Sequence, residues 1–154
     1  MKLILYFGQT GTTKKAAEML QKQLPDSLIF DGTKKLKDFS SIDTIILGSH
    51  IHMGKLHKGF KKKMKKLAKK KLNVRYHAFI VSANANEKGK YMNLAREILP
   101  EDAYIGYFGG ELDPARAKGI TKMVIQECIR RLQEQNISLP QLDELAIEDF
   151  VEHI

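Results

Sequence analysis

The sequence predicts an α/β domain, a doubly wound parallel sheet of five strands in the order 2-1-3-4-5 with helices on both faces. Three observations carry that expectation. Continuous rather than alternating apolar runs recur at Lys2–Phe7, Thr44–Leu47 and His77–Val81, the pattern of strands buried on both faces. Stretches with helical periodicity separate them. Loops rich in glycine and small polar residues follow the first, third and fourth strands, at the carboxyl edge where open sheets of this class bind ligands.

Taken in order, Lys2–Phe7 is the first strand and ends at Gly8. Thr13–Leu24 follows as a helix, with Ala16, Ala17, Leu20 and Leu24 on one face and Pro25 as its stop. Ser27–Phe30 is a short second strand, Thr44–Leu47 the third and His77–Val81 the fourth. Between the last two, Leu56–Leu72 is a helix with Leu56, Phe60, Met64, Leu67 and Leu72 at helical spacing. Lys90–Leu99 is a short helix stopped by Pro100, and Tyr104–Phe108 the fifth strand. Pro114–Gln135 reads as one long helix, with Ile120, Met123, Val124, Cys128 and Leu132 along one side. Residues 1–135 form the domain. Residues 136–154 read as a linker and an acidic helical appendage packed on the same body, with Leu142, Leu145, Ile147, Phe150, Val151 and Ile154 as an irregular apolar set.

The chain has 154 residues, with 43% hydrophobic and 29% charged, the balance of a single globular domain with a substantial core. No apolar run approaches the ~20 residues that cross a bilayer, and no signal-peptide layout opens the chain. A cytoplasmic protein is expected, peripheral at most to the inner face of a membrane. The single cysteine, Cys128, forms no internal disulfide, and its apolar neighbours predict a buried thiol. The net charge of +8 is unevenly spread. From Thr44 to Asn86 there is no acid, and outside that stretch acids outnumber bases; Leu132–Ile154 has no Lys or Arg at all. The lysine-rich helix, Lys61–Lys71 above all, therefore asks for a negative partner. An anionic membrane surface is one candidate, and the acidic tail, folding back over the lysines or supplied by a second subunit, is another. Nucleic acid is disfavoured, because the only aromatic on the helix, Phe60, lies on its apolar side. The oligomeric state is left open.

The chemistry concentrates in three loops. In the first, Gly8, Gln9, Thr10, Gly11, Thr12 and Thr13 lie between a strand and a helix start. Unpaired N–H groups, the positive end of the helix dipole and threonine hydroxyls suit a phosphate monoester there. The Walker spacing and the G-x-G-x-x-G fingerprint are both absent. Asp31 is thus read as a strand-end aspartate rather than a ribose ligand. The second loop, Gly48–Lys55, offers Ser49, His50, Ile51, His52, Met53 and Gly54; the third offers Ser82, Ala83, Asn84, Ala85 and Asn86. An extended second loop is expected to send His50 and His52 to opposite sides. Their pKa near neutrality makes both candidates for proton transfer. His50, His52 and His57 lack the Cys or carboxylate neighbours of a zinc set, so no metal is expected.

These motifs resemble the flavodoxin-fold FMN proteins. That family carries S/T-x-T-G-x-T in its first loop, matched here by Gly8-Gln9-Thr10-Gly11-Thr12-Thr13 with Gly8 in place of the first hydroxyl. Gly48, Ile51, Gly54, His57 and Phe60 match G-x-x-I-x-x-G-x-x-H-x-x-F of the protoporphyrinogen oxidase-like, quinone-dependent subgroup, and Phe108-Gly109-Gly110-Glu111-Leu112 is similar to its glycine-leucine segment. The chain departs from that subgroup at Met53, near its tyrosine, and in a third loop without its long insertion. Tyr91 lies on the third-loop side, but its helical position argues against a place beside the flavin. The resemblance implies a flavodoxin-like fold and FMN as cofactor, held by the three loops. It also implies oxidoreductase activity between a small substrate, protoporphyrinogen among the candidates, and a quinone. The alternative is a flavodoxin-type electron carrier between redox proteins, a class that is usually acidic near the flavin.

Overall fold

The structure, a computed structural model, describes residues 1–8 and 11–154; Gln9 and Thr10 of the first loop lie outside the described residues. The strands are β1 (Lys2–Phe7), β2 (Ser27–Asp31), β3 (Thr44–His52), β4 (Lys55–Leu56), β5 (Arg75–Val81) and β6 (Ile105–Tyr107). The helices are α1 (Thr12–Gln23), α2 (Lys58–Lys69), α3 (Lys88–Arg96), α4 (Gly119–Glu134) and α5 (Glu144–His153). The main strands pair in parallel in the order β2-β1-β3-β5-β6. This is the expected 2-1-3-4-5 order, because β4 is a two-residue ribbon paired only with the end of β3.

Alternation along the strands divides the core in two. Leu3, Leu5, Phe7, Ile45, Leu47, Ala78 and Ile80 face one layer, completed by α2 and α3. Ile4, Ile46, Phe79 and Val81 face the other, completed by α1 and α5. Phe60, Met64 and Leu67 of α2 are buried, and each contributes about 1.5–3 kcal/mol of apolar burial. On α1, Ala16, Ala17 and Leu20 are buried, with Leu24 just beyond the helix.

Three expectations are overturned. The long helix Pro114–Gln135 is instead a 3₁₀ turn, Pro114–Arg116, followed by α4, which starts at Gly119 with φ 58°. None of the residues of α4 is buried: Ile120 is 80% exposed, Met123 and Val124 are also exposed, and so is Cys128, which was expected in the core. The place against the sheet that a last helix would take is filled by α5. Its Ile147 and Phe150 are fully buried, Asp143 caps it by accepting from the Ala146 N–H at 3.1 Å, and Phe150 meets Phe108 edge-on at 5.3 Å. A Cβ on Gly106 would sit 2.7 Å from the Phe150 ring, so this glycine is what lets α5 approach. Third, the acidic tail does not cover the lysine helix. The two helices pack on opposite faces of the sheet, α2 with Leu3 and Leu5, α5 with Ile4 and Phe79.

Candidate functional site

The first loop and the start of α1 form an anion-accepting corner. Gly11, at φ 85°, is the N-cap of α1 and supplies no side-chain cap, so the first-turn N–H groups keep no side-chain partner from it. Thr12 and Thr13 are buried, Thr13 to 1% exposure, and the Thr13 hydroxyl has no hydrogen-bond partner among the described residues. A buried hydroxyl left unpaired costs about 1–3 kcal/mol, so this corner suits a ligand with acceptor oxygens. A Cβ at Gly8 would lie 2.7 Å from Thr13 Oγ1. That contact explains why glycine stands at Gly8: the buried Thr13 side chain occupies the space a hydroxyl-bearing residue would need.

Beside this corner sits a charge cluster that the sequence did not reveal. The Arg116 side chain passes over Gly11, with Cδ 3.8 Å from where a Cβ would be. Arg116 Nη1 is 3.2 Å from Glu111 Oε2 and its Nε 3.3 Å from Asp113 Oδ2, while Lys15 on α1 pairs with the other Glu111 oxygen. Arg116 was hidden inside a helix assignment. The available signal was Asp113-Pro114, a turn start in which Asp113 Oδ1 accepts from the Ala115 N–H at 3.0 Å.

The second loop is more ordered than expected. β3 continues to His52, then turns through Met53 (φ 51°) and Gly54 (φ 74°) into β4, a two-residue hairpin with both central residues left-handed. Because residues two apart in a strand share a face, His50 and His52 lie on the same side, ring centroids 6.2 Å apart, which corrects the expectation of opposite sides. Met53 is 87% exposed at the tip. Ser49 is fully buried; its hydroxyl donates to the His50 carbonyl at 2.9 Å and accepts from the His57 N–H at 3.0 Å. Ile51 is half-buried against the α2-side core. His57 caps α2, its Nδ1 accepting from the Gly59 N–H at 2.9 Å.

His50 bridges the first and second loops. Its Nδ1 is 3.2 Å from the Phe7 carbonyl. A carbonyl only accepts, so Nδ1 carries the proton and Nε2 is left as a lone-pair acceptor. That Nε2 is buried and has no hydrogen-bond partner among the described residues. Burial, chiefly, pushes the His50 pKa below its ordinary value, with His57 and His52 adding to the shift. The imidazole is therefore neutral and acceptor-only at its inner nitrogen. The His50 and His57 rings lie 5.7 Å apart, yet no group of His, Cys, Asp or Glu among the described residues has the arrangement of a metal site.

The third loop is pinned from below. The Ser82 N–H donates to the Gly109 carbonyl at 2.9 Å, the Tyr107 hydroxyl donates to the Ser82 carbonyl, and a Cβ on Gly110 would lie 2.6 Å from Ser82 backbone. Ser82 and Ala83 are half-buried, whereas Asn84, Ala85 and Asn86 are exposed in and before a 3₁₀ turn at Ala85–Glu87. Tyr91, on α3, is buried in the core. Asp31 ends β2 and closes its own turn by accepting from Thr33 N–H and hydroxyl at 2.9 and 2.7 Å, as a strand-end aspartate should.

An FMN monophosphate fits this edge. Thr13 offers a hydroxyl without a partner among the described residues beside the first turn of α1, which suits a phosphate, and His50 Nε2 offers an acceptor for a hydroxyl or N–H donor. The sequence matches the family model described as Flavodoxin domain over residues 3–138. No curated protein sequence matches the chain. Among solved structures it is similar to a flavoprotein from Lactobacillus acidophilus NCFM in complex with FMN, at 20% identity over 71% of this chain and 91% of that one, TM-score 0.54. It is similar to a Fusobacterium nucleatum flavodoxin bound to flavin mononucleotide, at 14% identity over 87% of this chain and 97% of that one, TM-score 0.53. It also resembles rubredoxin oxygen:oxidoreductase from Desulfovibrio gigas, at 14% identity and TM-score 0.57, with 89% of this chain aligned to 37% of that one. At these identities the structural likenesses speak to the fold. With the parallel sheet, the carboxyl-edge loops and a family match over most of its length, the chain belongs to the flavodoxin domain family.

Proposed function

We propose that this protein is an FMN-dependent oxidoreductase passing electrons between a small substrate and a quinone-type acceptor. The observation that carries the cofactor is the buried Thr13 hydroxyl, unpaired among the described residues, at an α1 N-terminus whose N-cap, Gly11, has no side chain to cap it. When bound, FMN supplies the redox chemistry through its isoalloxazine ring. The chain's own residues then bind and orient. Thr12, Thr13 and the α1 amides hold the phosphate, and Arg116 and Lys15 lie close enough to bias the site toward the anion. His50 Nε2 accepts from the cofactor body. The hairpin at Met53–Gly54 and residues Ser82–Asn86 flank the ring, and their exposure leaves it open to a small partner. Gln9 and Thr10 belong to the same loop.

The acceptor class rests on charge and on the Gly48–Phe60 motif. Carrier flavodoxins are usually acidic near the flavin, whereas this chain carries +8 overall and its excess lies in the stretch that contains the second loop. The carrier reading keeps one specific support, the fold shared with a rubredoxin oxidoreductase.

The cofactor test compares FMN with riboflavin. Thr13→Val keeps shape and removes the hydroxyl, so FMN should weaken by about 1.5–3 kcal/mol, the scale of a hydrogen bond to a charged group, while riboflavin is unchanged. Equal wild-type affinity for both flavins would sink the phosphate-corner argument. For the acceptor, reoxidation of the chemically reduced holoprotein is timed with a short-chain quinone and with a small redox protein. Faster reoxidation by the quinone supports the enzyme; the reverse order moves the assignment to the carrier. Protoporphyrinogen is assayed as donor in the same experiment.

A further inference from the structure

We propose a second ligand site, separate from the flavin corner: the groove between residues 32–39 and α2 binds a small polyanion, with two or more linked phosphates on an apolar or aromatic body, the chemistry of a nucleoside polyphosphate. The groove encloses about 700 Å³, within the range of small-molecule sites. Lys34 and Lys35 stand on one wall and five lysines from Lys58 to Lys70 on the other. None of the described residues lining it is acidic, and the floor is apolar, formed by Leu36, Phe39 and Leu67.

The arrangement is costly without an anion. Lys63 is drawn inward, its ammonium donating to the Lys34 carbonyl at 2.7 Å, and burial together with Lys66 pushes its pKa down, opposed only by Asp31. Lys70 is held over the Phe39 ring at 5.5 Å. Lysines line the cavity from two sides, and the Lys63 ammonium among them is partly desolvated with Lys66 acting against its charge. A second hollow on the other flank of α2, toward α3, has a different lining: Lys55, Lys58, Lys61 and Lys65 share it with one acid, Glu97. The α2 lysines are therefore not one uniform coat. One side has an acid among its lysines, and the other has none among the described residues. A flat lipid surface would meet outward-facing lysines of either side equally, whereas a concave, acid-free groove with an aromatic floor selects an occupant that enters it. One end of the groove is formed by His57 and Gly59. His57 lies 5.7 Å from His50, so an occupant would lie next to the flavin corner without sharing its phosphate loop.

The test is calorimetric titration of the full, FMN-saturated chain with ATP, inorganic tripolyphosphate and AMP. Expected are one saturable site for ATP and tripolyphosphate, ATP the tighter, AMP weaker by about tenfold or more, and affinity falling as salt rises. Lys62→Gln with Lys66→Gln should weaken ATP by about tenfold and leave FMN affinity unchanged, since both side chains are exposed. Lys61→Gln with Lys65→Gln removes the same charge outside the groove and should change ATP affinity by less than about twofold. The proposal is overturned by absence of saturation, by equal loss in the two double variants, or by ATP displacing FMN, which would place it at the α1 corner. Equal affinity of ATP and tripolyphosphate overturns the apolar-body half. Vesicles of anionic lipid form the last arm: salt-sensitive binding that Lys62→Gln/Lys66→Gln abolishes and ATP does not compete would assign these lysines to a membrane instead. FMN binding is read independently by its absorbance, so failure here is distinct from failure of the cofactor assignment.

Discussion

Helix α2 buries Phe60, Met64 and Leu67 against the sheet and turns its lysines outward; helix α4, longer by a turn, buries nothing and leaves Ile120, Met123 and Val124 in water. The two also differ at their starts. α2 is capped by His57 Nδ1, itself fixed through Ser49 to β3, whereas Lys118 gives α4 no side-chain cap. What holds α4 together is local: Arg130 pairs with Glu127 and Glu134, and Arg131 with Glu127, all at helical spacing. Such pairs add only tenths of a kcal/mol each, and helices of about this length are marginal alone. An apolar stripe makes a helix eligible for the core. Whether it gets there depends on which segment reaches the free face of the sheet first in three dimensions, and here α5 does.

The largest effect should come from testing that substitution of one helix for the other. A chain ending at Gln135 keeps α4 and loses Ile147 and Phe150, both fully buried; it should fail to fold cooperatively, and a sharp unfolding transition near that of the full chain would show that α4 can take the vacated face. Next in size, Phe60→Ala should cost about 3–5 kcal/mol, whereas Ile120→Ala or Val124→Ala should stay within about 0.5 kcal/mol. Comparable losses at the two helices, read from urea midpoints, would mean that α4 is packed in solution.

A smaller contrast is in pH. Burial, first among the causes, lowers the pKa of His50, His57 and His77 below the ordinary 6.5. The folded state therefore holds them neutral, the unfolded chain binds more protons below about 6.5, and stability present above that value is lost as pH falls. The urea midpoint should drop between about pH 7.5 and pH 5.5. α4 has no histidine, and hydrogen bonds from Arg130 and Arg131 hold Glu127 at about 2, so its ion pairs persist through the same window. A midpoint that rises on acidification contradicts the buried neutral imidazoles. Smallest of all, amide exchange should be faster throughout α4 than in α2, and equal protection would erase the distinction.

Much of this was legible beforehand, for identifiable reasons. The strands were visible because residues such as Ile4, Leu47 and Ile80 need apolar neighbours on both faces, which leaves uninterrupted runs. α1 and α2 were visible because each has one core-facing stripe and a clear stop. The first loop stood out because glycine, threonine and a helix start occur together. The β3–β4 hairpin was not legible, since Met53 adopts φ 51° without being glycine; His52 was mis-sided for another reason, because residues two apart in an extended strand share a face. Arg116 was missed because its position over Gly11 arises from the fold of the Glu111–Ala117 segment. α4 was misplaced because periodicity is a property of one segment, while burial is a competition between two.

The placement of α2 and α5 on opposite faces of one sheet has an electrical consequence. Lysines crowd one side; Glu144, Glu148, Asp149 and Glu152 lie on the other, along a helix with no Lys or Arg. Two layers of opposite sign, kept apart by a sheet, make the whole molecule a permanent dipole. In the field of a charged partner such a body feels a torque before it feels contact. Random tumbling is biased toward one presentation, and with it the α2 face, not the α5 face, leads the approach to anything negative.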